Sequence, residues 1–100
     1  MSKIVRLLVL VIALCYFSSG YTQPVNPDAL AFPCMACHGP EGNSLGGIPS
    51  LNGLSYEQIK DSLRAFKMRQ RQGVIMNRIA NGYSNEQIEI LAHYFAHLKK

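Results

Sequence analysis

From Ser55 onward the apolar positions recur with a helical period. Tyr56, Ile59, Leu63 and Phe66 are spaced by three or four residues. At about 100° per residue they fall on one face, with Lys60, Arg64 and Lys67 on its flank and beyond. Ser55 followed by Gln58 completes a capping box, which places the start of this helix. The same signature recurs at Ser84 and Gln87, opening a helix whose inward stripe is Ile88, Leu91, Ala92, Phe95 and Leu98. Lys99 and Lys100 stand at its carboxyl end, where the helix dipole favours positive charge. Between the two, Asn77 to Ala80 forms a further helical turn. No strand is required anywhere, and the pattern predicts an all-α domain.

The first half of the chain is patterned differently. Asp28 to Cys34 predicts a short helix, which Pro33 is expected to end early. The stretch from Gly39 to Gly53 carries Gly39, Gly42, Gly46, Gly47 and Gly53 together with Pro40 and Pro49. That composition describes a loop wrapped around something rather than a regular element.

Residues 1–20 are of another kind again. Lys3 and Arg6 precede an apolar run from Leu7 to Phe17, followed by the small residues Ser18, Ser19 and Gly20. This is the pattern of a secretory signal peptide. The run is shorter than the roughly 20 residues needed to span a bilayer, so a cleaved leader is expected and not a permanent membrane anchor. Cleavage is expected after Gly20, with Thr22 the next choice. Cys15 lies within the run, but Leu14 precedes it where a lipoprotein signal needs a small residue, so Cys15 should leave with the leader. Residues 21–100 then form a single domain.

Of the ten Lys and Arg, Lys3 and Arg6 leave with the leader while all six acidic residues remain, so the domain carries a formal charge of +2. It is mildly basic and has no nucleic-acid footprint. A domain of about 80 residues rarely builds an adequate core unaided. A bulky apolar cofactor would supply what is missing.

Cys34-Met35-Ala36-Cys37-His38 names that cofactor. C-x-x-C-H is the attachment signature of a c-type haem. Two thiols three positions apart reach the vinyl groups on one edge of a porphyrin, and the next imidazole lies under the iron as proximal ligand. A thioredoxin-like dithiol belongs near a βαβ pattern, whereas Gln23 to Pro33 holds Pro24, Pro27 and Pro33 without a β-branched run. Zinc would need His93 and His97, whose H-x-x-x-H spacing is suitable. Compact zinc modules, however, separate their ligand pairs by about 12 to 15 residues, and here most of the domain intervenes. A disulfide across so small a loop stabilises little and leaves His38 without a role. Export agrees with haem, because haem thioethers are assembled outside the bacterial cytoplasm, so a periplasmic location is expected.

Haem iron has two axial positions, and an electron-transfer site usually fills both. Met35 lies between the anchoring cysteines and cannot reach the face opposite His38. Met68 falls about 180° from Ile59 on its helix, and His93 and His97 fall roughly 140° and 180° from Ile88 on theirs. These three are expected to face solvent. Met76 lies in the connecting segment Gly73-Val74-Ile75-Met76 and is favoured as the second ligand. The alternative is that it simply fills a core gap, as flexible thioethers do. The iron would then be open or bis-histidine.

Cys34, Cys37 and His38, then Ile48-Pro49-Ser50-Leu51-Asn52-Gly53-Leu54, then Met76 resemble the class I c-type cytochromes in order and spacing. The resemblance implies that fold, a small helical domain around one covalently bound haem c. It also implies that the Pro49 carbonyl accepts a hydrogen bond from His38, fixing its tautomer and raising its basicity. Phe66-Lys67, Ile75-Met76-Asn77-Arg78-Ile79-Ala80-Asn81-Gly82-Tyr83-Ser84 and Gly42-Asn43-Ser44 look similar to the cytochrome subunit of flavocytochrome c sulfide dehydrogenase. That likeness implies a flavoprotein partner and sulfide as its substrate, with the haem passing electrons to a cytochrome or other soluble acceptor. The subunit can carry two haem domains, whereas this chain has one motif. No dinucleotide-binding glycine fingerprint is present, so any flavin belongs to another polypeptide.

Two function classes follow. Electron transfer, by a free carrier or a haem subunit, needs a closed iron and an exposed edge. Arg64, Lys67, Arg69, Arg71 and Arg78 flank the Met76 segment, where they would either steer an acidic partner or form an ordinary solvated face. Peroxidase or gas-sensor chemistry needs an open iron position, which a ligand at Met76 disfavours.

Overall fold

Both serine caps close in the computed structural model, which describes residues 2–16, 20 and 24–98. Ser55 Oγ accepts from the Gln58 N–H at 3.1 Å while Gln58 Oε1 accepts from the Ser55 N–H at 2.9 Å. Ser84 and Gln87 repeat the arrangement at 3.1 and 2.9 Å. Each box satisfies two of the donors that a helix start leaves open. The helices are α1 (Lys3–Tyr16), α2 (Pro27–His38), α3 (Tyr56–Lys67), α4 (Met76–Asn81) and α5 (Asn85–His97), with a 3-10 turn at Pro40–Gly42 and no strand among the described residues.

The apolar stripes meet where their periods direct them. Ile59 of α3 is buried with Tyr56, Leu63 and Phe66 half-buried beside it, and α5 buries Ile88, Leu91, Ala92 and Phe95 with Leu98 half-buried. Ala31 of α2, Ile59, Leu91, Ala92 and Phe95 form the central cluster. α5 is therefore the common wall, packed on both α2 and α3, while α3 also packs on α4. Burying one Ile, Leu or Phe stabilises by about 1.5–3 kcal/mol. Few large side chains are fully buried here, the largest being Phe95, Ile88 and Leu91. The core alone is slender. Across the same interface Arg64 Nη2 meets Glu89 Oε1 at 2.8 Å, a half-exposed pair that adds at most about 1 kcal/mol.

Pro33 does not end α2, contrary to the sequence expectation. The helix starts at Pro27, with Asn26 Oδ1 accepting from the Asp28 N–H at 3.0 Å, and runs through the whole C-x-x-C-H motif to His38. The missing Pro33 N–H orphans the Ala29 carbonyl, but Ala29, Phe32 and Pro33 are all exposed, so water can take the bond and the ring has room. Met76 likewise differs from its expected place in a connecting loop: it is the first residue of α4.

α1 buries none of its residues. No helix among the described residues is long and apolar enough to cross a membrane. The end of the apolar run at Phe17, the small residues Ser18 and Ser19, the alternative cleavage point at Thr22, and Lys99 and Lys100 lie outside the described residues.

Candidate haem site

Helical geometry brings the motif together on the last turn of α2. Cys34 and Cys37 are three residues apart on that helix, hence neighbours on one surface, and neither is in a disulfide. Burial pushes the Cys34 thiol above its ordinary value, while a hydrogen bond with the Tyr83 side chain offsets part of the rise. Cys37 is exposed.

His38 ends α2, and its Nδ1 lies 2.5 Å from the Pro49 carbonyl oxygen, eleven residues along the chain. A carbonyl can only accept, so Nδ1 carries the hydrogen and Nε2 keeps its lone pair. That is the tautomer a metal-bound imidazole requires. The loop between the two is forced into shape by Gly39, whose φ of +89° belongs to glycine. A Cβ there would lie 1.9 Å from the Asn43 carbonyl oxygen, so no side chain fits immediately after His38.

A cavity of about 250 Å³ opens between Met35, Ala36 and Cys37 on one side and Ser44 to Ile48 on the other. Leu45 (87%) and Ile48 (44%) stay exposed in that loop, and Val74 (108%) and Ile75 (55%) stay exposed immediately before Met76. Bare apolar side chains in both segments are what a large apolar ring would cover. Free thiols, a lone-pair Nε2 and uncovered aliphatic groups together fit a haem.

Met76 is half-buried at the start of α4, close to Gly73. Met68 is 66% exposed just beyond α3. His93 and His97 are exposed on α5. His93 stacks on Tyr56 with ring centroids 4.3 Å apart, and His97 Nδ1 lies 2.6 Å from the His93 carbonyl. Among the described residues, no three of His, Cys, Asp and Glu gather into a metal set.

The cationic cluster is partly consumed inside the fold. Arg64 pairs with Glu89, Lys67 Nζ donates to the Tyr83 carbonyl, and Arg71 donates to Ser62 Oγ at 3.3 Å with its guanidinium 4.7 Å from the Phe66 ring centroid. Arg69, Arg71 and Arg78 are all exposed. Sequence reasoning missed Asn77, a buried side chain that ties the segment before Met76 to α3. An asparagine directly after the candidate ligand was the available signal.

The cytochrome c family model matches residues 29–99. The chain is 42% identical over 73 residues to the cytochrome subunit of sulfide dehydrogenase from Chlorobaculum tepidum, covering 73% of this chain and 66% of that one. It is 37% identical over 67 residues to cytochrome c-554(548) of Halomonas halodenitrificans, covering 63% and 81%. With the thiosulfate dehydrogenase electron acceptor of Thiomonas intermedia it shares 38% over 75 residues, 73% of this chain but 34% of the other. The chain thus spans just under two thirds of the first relative and about a third of the last. The family match begins within α2 ahead of the C-x-x-C-H motif and takes in α3, α4 and α5. The chain belongs to the cytochrome c family, as an electron-transfer domain with one covalently attached haem c.

Proposed function

We propose that this cytochrome works in the periplasm as the haem subunit of a flavoprotein sulfide dehydrogenase, accepting electrons from the flavoprotein and passing them to a cytochrome or other soluble acceptor. The observation that carries this reading is the 42% identity over 73 residues to a sulfide dehydrogenase cytochrome subunit. The leader-like pattern of residues 1–20 supports export.

Bound haem c supplies a one-electron iron couple. Cys34 and Cys37 anchor it through thioethers. His38 presents Nε2 to the iron, held in that tautomer by the Pro49 carbonyl at 2.5 Å. Met76 would supply the second ligand through its thioether sulfur. Ligation by both His38 and Met76 would keep oxygen and substrates from the iron, and the soft thioether would favour the ferrous state and a relatively high reduction potential.

A free soluble carrier is the second reading, favoured by the 81% of cytochrome c-554(548) that the chain covers. Purifying the native protein from the periplasmic fraction separates the two. Co-elution with a flavin-containing polypeptide that reduces the haem on adding sulfide is the expected result. Elution without a flavoprotein would leave the free carrier, and recovery from the cytoplasm alone would overturn export.

A further inference from the structure

The segment between α3 and α4 carries Met76 at its end but has little apolar anchoring of its own. Residues 68–75 are all exposed. Backbone bonds from Met68, Arg69, Gln70 and Arg71 to carbonyls of Arg64, Ala65 and Phe66 hold its first half to α3, and the polar ties of its second half, toward Met76, converge on one side chain. Asn77 is 9% exposed; its Oδ1 accepts from the Gly73 N–H at 2.9 Å, and its Nδ2 donates to the carbonyls of Phe66 at 2.9 Å and Arg71 at 2.7 Å. Two carbonyls can only accept and an N–H can only donate, so the amide has a single orientation. Its three bonds reach the last turn of α3, the middle of the loop, and the residue three before Met76.

The Phe66 ring forms the floor of this arrangement. A Cβ on Gly73 would come within 3.0 Å of Phe66 Cε1 and 3.4 Å of the Met76 Cβ. The loop thus passes close over the ring, and the Arg71 guanidinium covers the ring at 4.7 Å. A residue in an untethered loop must surrender conformational entropy each time the loop takes one shape. With Asn77 in place that entropy is given up during folding.

We propose that Asn77 is the positioning residue for Met76: its amide fixes the α3–α4 segment so that the thioether holds the iron against competing ligands. This rests on the reading of Met76 as axial ligand. The three bonds of the Asn77 side chain all go to backbone groups, of Phe66, Arg71 and Gly73.

The test uses the haem-loaded protein and imidazole, which competes for the axial position, and follows the sulfur-to-iron charge-transfer band of the oxidised form. Asn77→Ala is expected to bind imidazole about tenfold more tightly, the scale of one lost net hydrogen bond. Asn77→Asp keeps the acceptor for Gly73 but replaces the doubly donating Nδ2 by one oxygen facing both carbonyls, and should shift affinity the same way. Ser84→Ala weakens a helix cap away from the segment and should leave the affinity within about twofold. Wild-type affinity in either Asn77 variant, or an equal gain in Ser84→Ala, overturns the proposal. Should neither Asn77 variant assemble, amide exchange of the wild type decides: Gly73 is expected to be protected although exposed, and exchange at the rate of a free peptide refutes the clamp. Met76→Ala distinguishes the underlying reading, since retention of its band defeats the ligand assignment, whereas its loss with unshifted Asn77 variants defeats only the positioning role.

Discussion

Met68 and Met76 have the same side chain and differ in placement. Met68 follows α3 on the side away from Ile59 and is 66% exposed. Met76 is half-buried beside Gly73, in a segment held by Asn77. Met76→Ala should therefore abolish the sulfur-to-iron charge-transfer band of the oxidised protein, while Met68→Ala should keep it. A band surviving in the Met76 variant would point to another ligand. On the proximal side, C-x-x-C-H was legible at once because its chemistry is contained within five consecutive residues. Asn77 was not, because its three partners span residues 66 to 73 and come within reach only when the loop folds back.

At the scale of elements, the two helices that form the wall of the core start on reciprocal serine–glutamine caps. Ser84→Ala removes the acceptor for the Gln87 N–H and should cost about 1 kcal/mol. In a domain of this size that lowers Tm by about 4–8 °C. Thermal unfolding followed by helical circular dichroism measures it, and an unchanged Tm would mean that α5 is held by its packing alone. The starts and stripes of α3 and α5 were legible because caps and periodicity act within one or two turns. The length of α2 was not. A proline penalty depends on where the orphaned carbonyl and the ring point, and at Pro33 both lie on an exposed surface, which is a property of the packed domain rather than of the residue.

For the whole molecule, a core with few large buried side chains and apolar groups left open beside both candidate ligands makes haem a structural component as well as a redox centre. Charge is redistributed at the same scale. Five cations that look like one docking patch in the sequence are divided by the fold: Arg64 pairs with Glu89, half-buried Lys67 donates to the Tyr83 carbonyl, and Arg69, Arg71 and Arg78 stay exposed, Arg71 with one donor on Ser62 Oγ. Steering of an acidic redox partner should then be modest. Its association rate is expected to fall as ionic strength rises and to fall further in an Arg69→Gln/Arg78→Gln double variant, measured by stopped-flow reduction. A rate independent of salt would leave these arginines as an ordinary solvated face.

The sequence by itself determined the cofactor, the all-α class, the caps and the buried stripes, because each depends on residues within a few positions of one another. The hydrogen bond from His38 to the Pro49 carbonyl was already implied by the family resemblance, and the structure has it. The tertiary structure decided how far α2 runs, which cations remain outward and how Asn77 ties down the approach to Met76. Those outcomes depend on segments far apart in the chain being brought to hydrogen-bonding distance, and local pattern carries no information about that distance.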